Sequence, residues 1–204
     1  MITVTKKDLI ELGYGTSFAA DIIREAKKLM ISKPINKISI REITESCGFQ
    51  RLTFYYHFDD VYDLLQWTMR RELIIPIKES GAFSTWQESG IYLLRYLKNN
   101  KALSLSILNS IGRETLKNLI SNDTYELCMY FLRNIGGDLD ISDEDYHTLC
   151  NFYCVSLAAL ATNWLESSTS ETPEEAIAKL ETIIEGTARH ALERFAKKDS
   201  PSHS

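Results

Sequence analysis

The chain is expected to fold as an all-α protein, and three features of its 204 residues predict this. Apolar residues recur at i, i+3, i+4 spacings through most of its length, the period of one helix face. Glycine and proline are few, nine and four, so long helices are rarely interrupted. Alternating β-branched runs, which mark half-buried strands, are nearly absent. With 44% hydrophobic residues the chain can bury a core as one or two domains.

The first helix is predicted from Ser17 to about Lys33, with Phe18, Ala19, Ile22, Ile23, Ala26, Leu29 and Met30 on one face and Pro34 ending it. Ser39 followed by Glu42 is a capping box that opens a second helix of about two turns, striped by Ile40 and Ile43. Gly48 supplies the left-handed residue that closes it, and Phe49 plugs the angle to the next helix. A third helix runs from about Gln50 to His57. Its Phe54 and Phe58, at i and i+4, point inward, while Gln50, Arg51, Thr53 and Tyr56 point outward. Two short helices at a tight turn have the layout of a helix-turn-helix, which lays its second helix in the DNA major groove.

A fourth helix starts near Asp60 and carries Tyr62, Leu64, Leu65, Trp67, Met69 and Ile74 before Pro76; it is the mechanical link to the rest of the chain. Lys78 to Ser84 reads as a loop. A fifth helix covers about Thr85 to Asn99, with Trp86, Ile91, Leu94 and Leu97 inward, and a sixth spans Lys101 to Ile111. A helix or helix pair follows from Arg113 to Asn134, closed by Gly136-Gly137, and then an acidic loop from Asp138 to Asp145. Ser142 is placed to cap a helix running to about Glu166. Thr172-Pro173-Glu174-Glu175 starts a final helix that extends to about Lys198. Small residues at Ser156 to Thr162 and at Gly186-Thr187-Ala188 permit close helix crossing.

Thr53-Phe54-Tyr55-Tyr56-His57-Phe58, preceded by Gly48-Phe49 and followed by Asp59-Asp60 and Leu64-Leu65, resembles the head of the TetR family of bacterial one-component transcription regulators. Its position after one long amphipathic helix, about forty residues into the chain, fits the same family. Three positions depart from that pattern: Gln50, Leu52, and Val61, which stands where the family usually has a phosphate-gripping Lys. Asn163-Trp164-Leu165-Glu166 with Thr172-Pro173-Glu174-Glu175-Ala176 is similar to the C-terminal part of a TetR subgroup that includes the activator of dihydroxyacetone kinase operons.

The resemblance implies a DNA-binding head at residues 1–58, a helical regulatory and dimerisation domain at 59–198, and a polar tail at 199–204. It implies a cytoplasmic homodimer formed through helices at about 142–166 and 173–198. Such a dimer reads a near-palindromic operator in double-stranded DNA. A small-molecule or protein effector in the C-terminal domain would alter operator affinity. Repression is the commoner role in the family, and activation stays open. The rival reading is a dimeric helical interaction module with little or no direct DNA contact, for which Val61 and Asp59-Asp60 speak.

Base-edge or groove candidates are Gln50, Arg51, Leu52, Thr53 and Tyr56, since Arg and Gln make bidentate contacts to purines and Leu meets a thymine methyl. Tyr55 and His57 are candidates for phosphate contact or for bracing the head, with core packing equally open to Tyr55. Thr16, Lys37, Ser39 and Arg41 sit near helix starts, where phosphates are held; Ser39 is a cap first. The aromatics Trp67, Trp86, Tyr92, Tyr96, Phe131 and Tyr153 are candidates to line an effector cavity, against ordinary core packing.

Residues 1–70 hold ten Lys/Arg against nine Asp/Glu, whereas 71–204 hold thirteen against nineteen. The asymmetry has the sign a DNA-binding head requires, although it is small. His147, Cys150 and Cys154 share one helix face, where burial outweighs a metal or redox role, so no cofactor or metal is expected. The four cysteines form no CxxC pair, which reads as reduced thiols in a cytoplasm. No catalytic motif is present and no apolar run suits a membrane span, so neither an enzyme nor a membrane protein is expected.

Overall fold

A computed structural model describes residues 16–79, 85–167, 170–184 and 186–198. All regular elements among them are helical. The chain divides into two compact units, Met1–Glu72 with Asn100–Leu119, and Leu73–Asn99 with Ile120–Ser204. The expected head, residues 1–58, lies within the first unit, which continues to Glu72 and adds a later segment.

In the first unit, helix α1 (Thr16–Ser32) buries Ala19, Ile22, Ile23, Ala26 and Met30. A 3₁₀ turn at Ile35–Lys37 follows, anchored by buried Ile35. Helix α2 (Ile40–Ser46) and helix α3 (Arg51–Tyr55) form the helix-turn-helix. Helix α4 (Val61–Met69) begins at Asp60, whose carboxylate accepts the Tyr62 and Asp63 amides at 2.8 Å. These helices share one core with Leu103 and Ile107 from the later segment. The Ser106 hydroxyl donates to the Met30 carbonyl, and Lys27 pairs with Glu72 at 2.8 Å.

Pro76 does not end the fourth helix as expected. After α4 the ladder widens into a π turn at Arg70–Ile74 and resumes as α5 (Ile75–Glu79). Proline offers no amide to the carbonyl four residues back and crowds it. That residue, Glu72, lies inside the widened turn, so the ladder re-registers around the defect. Lys78, expected in a loop, is therefore helical; residues 80–84 of that loop lie outside the described residues.

The second unit is built around two cores. In one, α6 (Trp86–Asn99) packs Leu94, Trp86, Ile91 and Leu97 against Ala176, Ile177 and Leu180 of α9 (Pro173–Ile184). Gly90 makes this approach possible, because a Cβ there would lie 2.7 Å from Ile177 Cδ1. Arg95 to Glu174 at 2.5 Å and Gln87 to Glu181 at 2.8 Å clasp the same pair of helices.

The other core joins α7 (Lys101–Gly136), α8 (Asp143–Glu166) and α10 (Thr187–Lys198) through Leu132, Tyr146, Leu149, Cys150, Tyr153, Ala188 and Leu192. Helix α7 is broken at Gly112 (φ 75°), the expected boundary between a sixth helix and its successor. It closes at Gly136, where Arg189 donates to the Ile135 and Gly136 carbonyls at 2.9 and 3.2 Å.

The final helix was expected to run unbroken from Thr172 to Lys198. Its start is as read: the Thr172 amide donates to the Glu175 carboxylate at 2.8 Å, and Thr172 Oγ1 accepts the Glu175 amide at 3.2 Å. Gly186 (φ 78°) then splits it into α9 and α10. The small residues Gly186 to Ala188 thus reorient the chain, and Ala188 and Leu192 turn into the second core.

Phe58 is 1% exposed, with its ring 5.5 Å from Phe54 and 5.7 Å from Trp67. Phe58→Ala is expected to lower the unfolding free energy by about 3–5 kcal/mol, read as a shift of the urea midpoint at unchanged slope.

Candidate nucleic-acid interface

The capping box forms as read from the sequence. Ser39 Oγ accepts the Glu42 amide at 3.2 Å, and Glu42 Oε2 accepts the Ser39 amide at 2.9 Å. Lys33 pairs with the other Glu42 oxygen, tying the end of α1 to the start of α2. Gly48 (φ 72°) makes the left-handed turn, and the Phe49 amide returns to the Thr44 carbonyl at 2.8 Å. Thr44 is buried and its hydroxyl donates to the Ile40 and Arg41 carbonyls. The sharp angle between α2 and α3 is thereby held by backbone bonds on its inner side.

Phe54 and Phe58 are fully buried, so the opposite side of α3 faces solvent. Gln50, at the N-cap, and Arg51 are exposed; Leu52 is 60% and Tyr56 54% exposed; Thr53 is half-buried. Tyr55 serves both readings: it is 43% exposed, its ring edge meets Phe54 at 5.9 Å, and its hydroxyl takes a 3.3 Å bond from Arg51. His57 is half-buried beside Phe58. Arg51 is the one cation of α3, and the i, i+4 bond to Tyr55 orders its guanidinium on the exposed face.

The phosphate candidates fare differently. Ser39 is occupied as a cap. Arg41 is exposed but paired with Glu45 at 2.6 Å, which neutralises much of its field. Lys37 is exposed at the end of the 3₁₀ turn. Thr16 begins α1, and its side chain lies outside the described residues.

Two features that weakened the sequence case change meaning. Val61, standing where the family usually carries Lys, is 7% exposed and belongs to the core. The Asp60 carboxylate is spent capping α4, while Asp63 accepts the Asp59 amide at 3.1 Å. The acidic pair organises the start of α4.

The six aromatics expected to line an effector cavity are dispersed. Trp67 belongs to the first unit, under the Arg71 guanidinium at 5.1 Å. Trp86 packs in the α6–α9 core and Tyr153 in the α7–α8–α10 core. Tyr92 and Tyr96 are half-buried on α6, and Phe131 is half-buried on α7 against Tyr130.

Comparison with known proteins agrees with this architecture. A family model described as a transcriptional regulator C-terminal region, of the TetR type, matches residues 84–186, just over half of the chain. A second model, a domain of unknown function, matches residues 2–56. The HTH-type dhaKLM operon transcriptional activator DhaS of Lactococcus lactis subsp. lactis is 31% identical over 80 residues. That match covers 39% of this chain and 43% of the relative, less than half the length of each. A solved structure of a dihydroxyacetone kinase operon activator DhaS superposes with a TM-score of 0.60 at 20% identity, over 87% of this chain and 97% of that one. The chain belongs to the TetR family of transcriptional regulators and is not an enzyme.

The Lys33 ammonium, then the Ser39 amide and hydroxyl, hold the Glu42 carboxyl down to about 2. A depressed carboxylate contributes stability that is whole above its ordinary value, about 4.3, and is lost as pH falls toward the folded value. The difference in urea midpoint between wild type and Glu42→Gln is therefore expected to close between about pH 5 and pH 2. A pH-independent difference would exclude an ionic role for this contact.

Proposed function

We propose that the protein is a homodimeric regulator that binds a near-palindromic operator by laying α3 in the major groove, and that an effector acting on the second unit changes that binding. One observation carries the DNA reading. Phe54 and Phe58 are buried on one side of α3, while Gln50, Arg51, Leu52 and Tyr56 stand exposed on a helix whose angle to α2 is fixed by the turn. Arg51 and Gln50 suit guanine or adenine edges in the major groove, and Leu52 suits a thymine methyl. Ser39, Lys37, Arg41, Tyr55 and His57 would flank them toward phosphate.

The dimer reading is supported by the far side of α8. Phe152 and Val155, three residues apart on that side, are 62% and 55% exposed, and Ile183 near the end of α9 is 65% exposed. An apolar stripe of this kind on a helix already buried on its other face marks an interaction surface. Two copies joined there would present two heads to half-sites about one helical turn apart. The two relatives are named as operon activators, which favours activation over the repression commoner in the family. Among the described residues no helix is long and apolar enough to cross a membrane, and the reading places the protein in the cytoplasm with its operator.

Regulators of this design commonly act on neighbouring genes, so a gel shift on DNA flanking the protein's own gene tests the reading. A salt-sensitive complex is expected; no complex at low salt would refute it. Arg51→Ala is expected to cost about 1–3 kcal/mol of specific affinity. Phe152→Glu is expected to yield a folded monomer in sedimentation equilibrium that no longer retards the operator, and a dimer of unchanged affinity would overturn the α8 assignment.

A further inference from the structure

His147 shares a helix face with Cys150 and Cys154 in the sequence but does not join their sulfurs. His147 is exposed, stacked on Tyr125 with ring centres 5.7 Å apart, and its Nδ1 shares a hydrogen bond with the Tyr125 hydroxyl. Cys128, on α7, takes its place. The sulfurs of Cys128, Cys150 and Cys154 all lie within 4.8 Å of one another, and Cys150 Sγ is 3.9 Å from Cys154 Sγ. Among the described residues no fourth His, Cys, Asp or Glu joins them.

The side chains packed around them are largely apolar. Leu132, Leu149 and Tyr153 are buried in the same core, with Met129 and Leu157 packed against it. The nearest polar neighbours are backbone carbonyls: Cys150 donates to Tyr125 O at 3.5 Å, Cys154 to Thr124 O and Cys128 to Cys150 O, each at 3.8 Å. Cys150 is fully buried, whereas Cys128 and Cys154 are half-buried and leave a route inward.

Charge decides which thiophile such a site takes. Zn²⁺ closes a structural site with four ligands, and here the protein supplies three. Cu(I) accepts thiolates readily, but a monocation with three thiolates leaves two negative charges in a hydrocarbon pocket, which is costly. A trivalent, three-coordinate element leaves none. Arsenous acid, As(OH)₃, condenses with three thiols to form three As–S bonds, and its three hydroxyls leave with the thiol protons as three waters. No oxidant is needed, no charge is created, and none of the thiols must ionise beforehand. The lone pair on arsenic sets its bonds in a pyramid, as suits three sulfurs converging from two helices.

We propose that Cys128, Cys150 and Cys154 form a binding site for trivalent arsenic, or a like three-coordinate thiophile, that cross-links α7 to α8. The site is independent of the operator reading, because it lies wholly in the second unit.

Titration of the reduced full-length protein with sodium arsenite tests it. One arsenic per chain is expected in native mass spectrometry, with the titratable thiols falling from four to one and a rise in melting temperature. Cys128→Ser and Cys154→Ser, checked for folding by circular dichroism, are each expected to weaken binding at least as much as the roughly 10–100-fold lost when an outer-shell partner is removed. Cys47→Ser, in the first unit, is expected to bind as wild type does. Unchanged binding by Cys128→Ser, or an undiminished thiol count in the wild type, would overturn the site. Parallel titrations with Zn²⁺ and Cu(I) test the charge argument: stoichiometric cysteine-dependent binding of either without binding of arsenite would overturn the assignment to a trivalent element.

Discussion

The helices of the head are too short to bury their own apolar faces, and the first unit is organised by that shortage. Helix α3 has five residues and α2 seven, below the length at which isolated helices persist in water. Their stability comes from tertiary packing, concentrated on Phe54 and Phe58. Those rings share one core with α1, with Trp67, Leu64 and Leu65 of α4, and with Leu103 and Ile107. The exposed side of α3 is therefore the outer side of a core that includes part of α7. Any displacement of α4 or of the first half of α7 reaches α3 through packed side chains, the physical basis a regulator of this design needs for coupling.

Among the described residues of the first unit, several cations are paired with carboxylates. Arg41 is neutralised by Glu45, Lys33 by Glu42, and Arg24 by Asp21 and Glu25. Burying Val61 fills the core with a residue type that cannot hold a phosphate.

In the second unit, α8 is apolar on opposite sides. Tyr146, Leu149, Cys150 and Tyr153 face the core, while Phe152 and Val155 face outward. A helix apolar all round is normally a buried one. The inner side brings the thiols of α8 to Cys128, and the outer side leaves Phe152 and Val155 exposed. A ligand that links α7 to α8 would act on the same helix that carries the exposed Phe152 and Val155.

What the sequence alone determined here is local. The capping boxes at Ser39/Glu42 and Thr172/Glu175, the Ser142 cap, the left-handed glycines at Gly48 and Gly137 and the break at Gly112 depend on groups a few residues apart. Each was legible because the chain itself fixes that separation. The inward pair Phe54 and Phe58 and the outward set on α3 followed from helical period for the same reason. Long-range partners were not legible, since periodicity names a face without naming what covers it. Only the tertiary structure placed Leu103 and Ile107 in the head core, dispersed the aromatics expected to line one cavity, and assigned Asp60 to a cap and Val61 to the interior. It also let α4 continue past Pro76 through a π turn and ended α9 at Gly186. Cys128 joined Cys150 and Cys154 from another helix, a proximity that a sequence separation of 22 conceals and that only the packing of α7 on α8 creates.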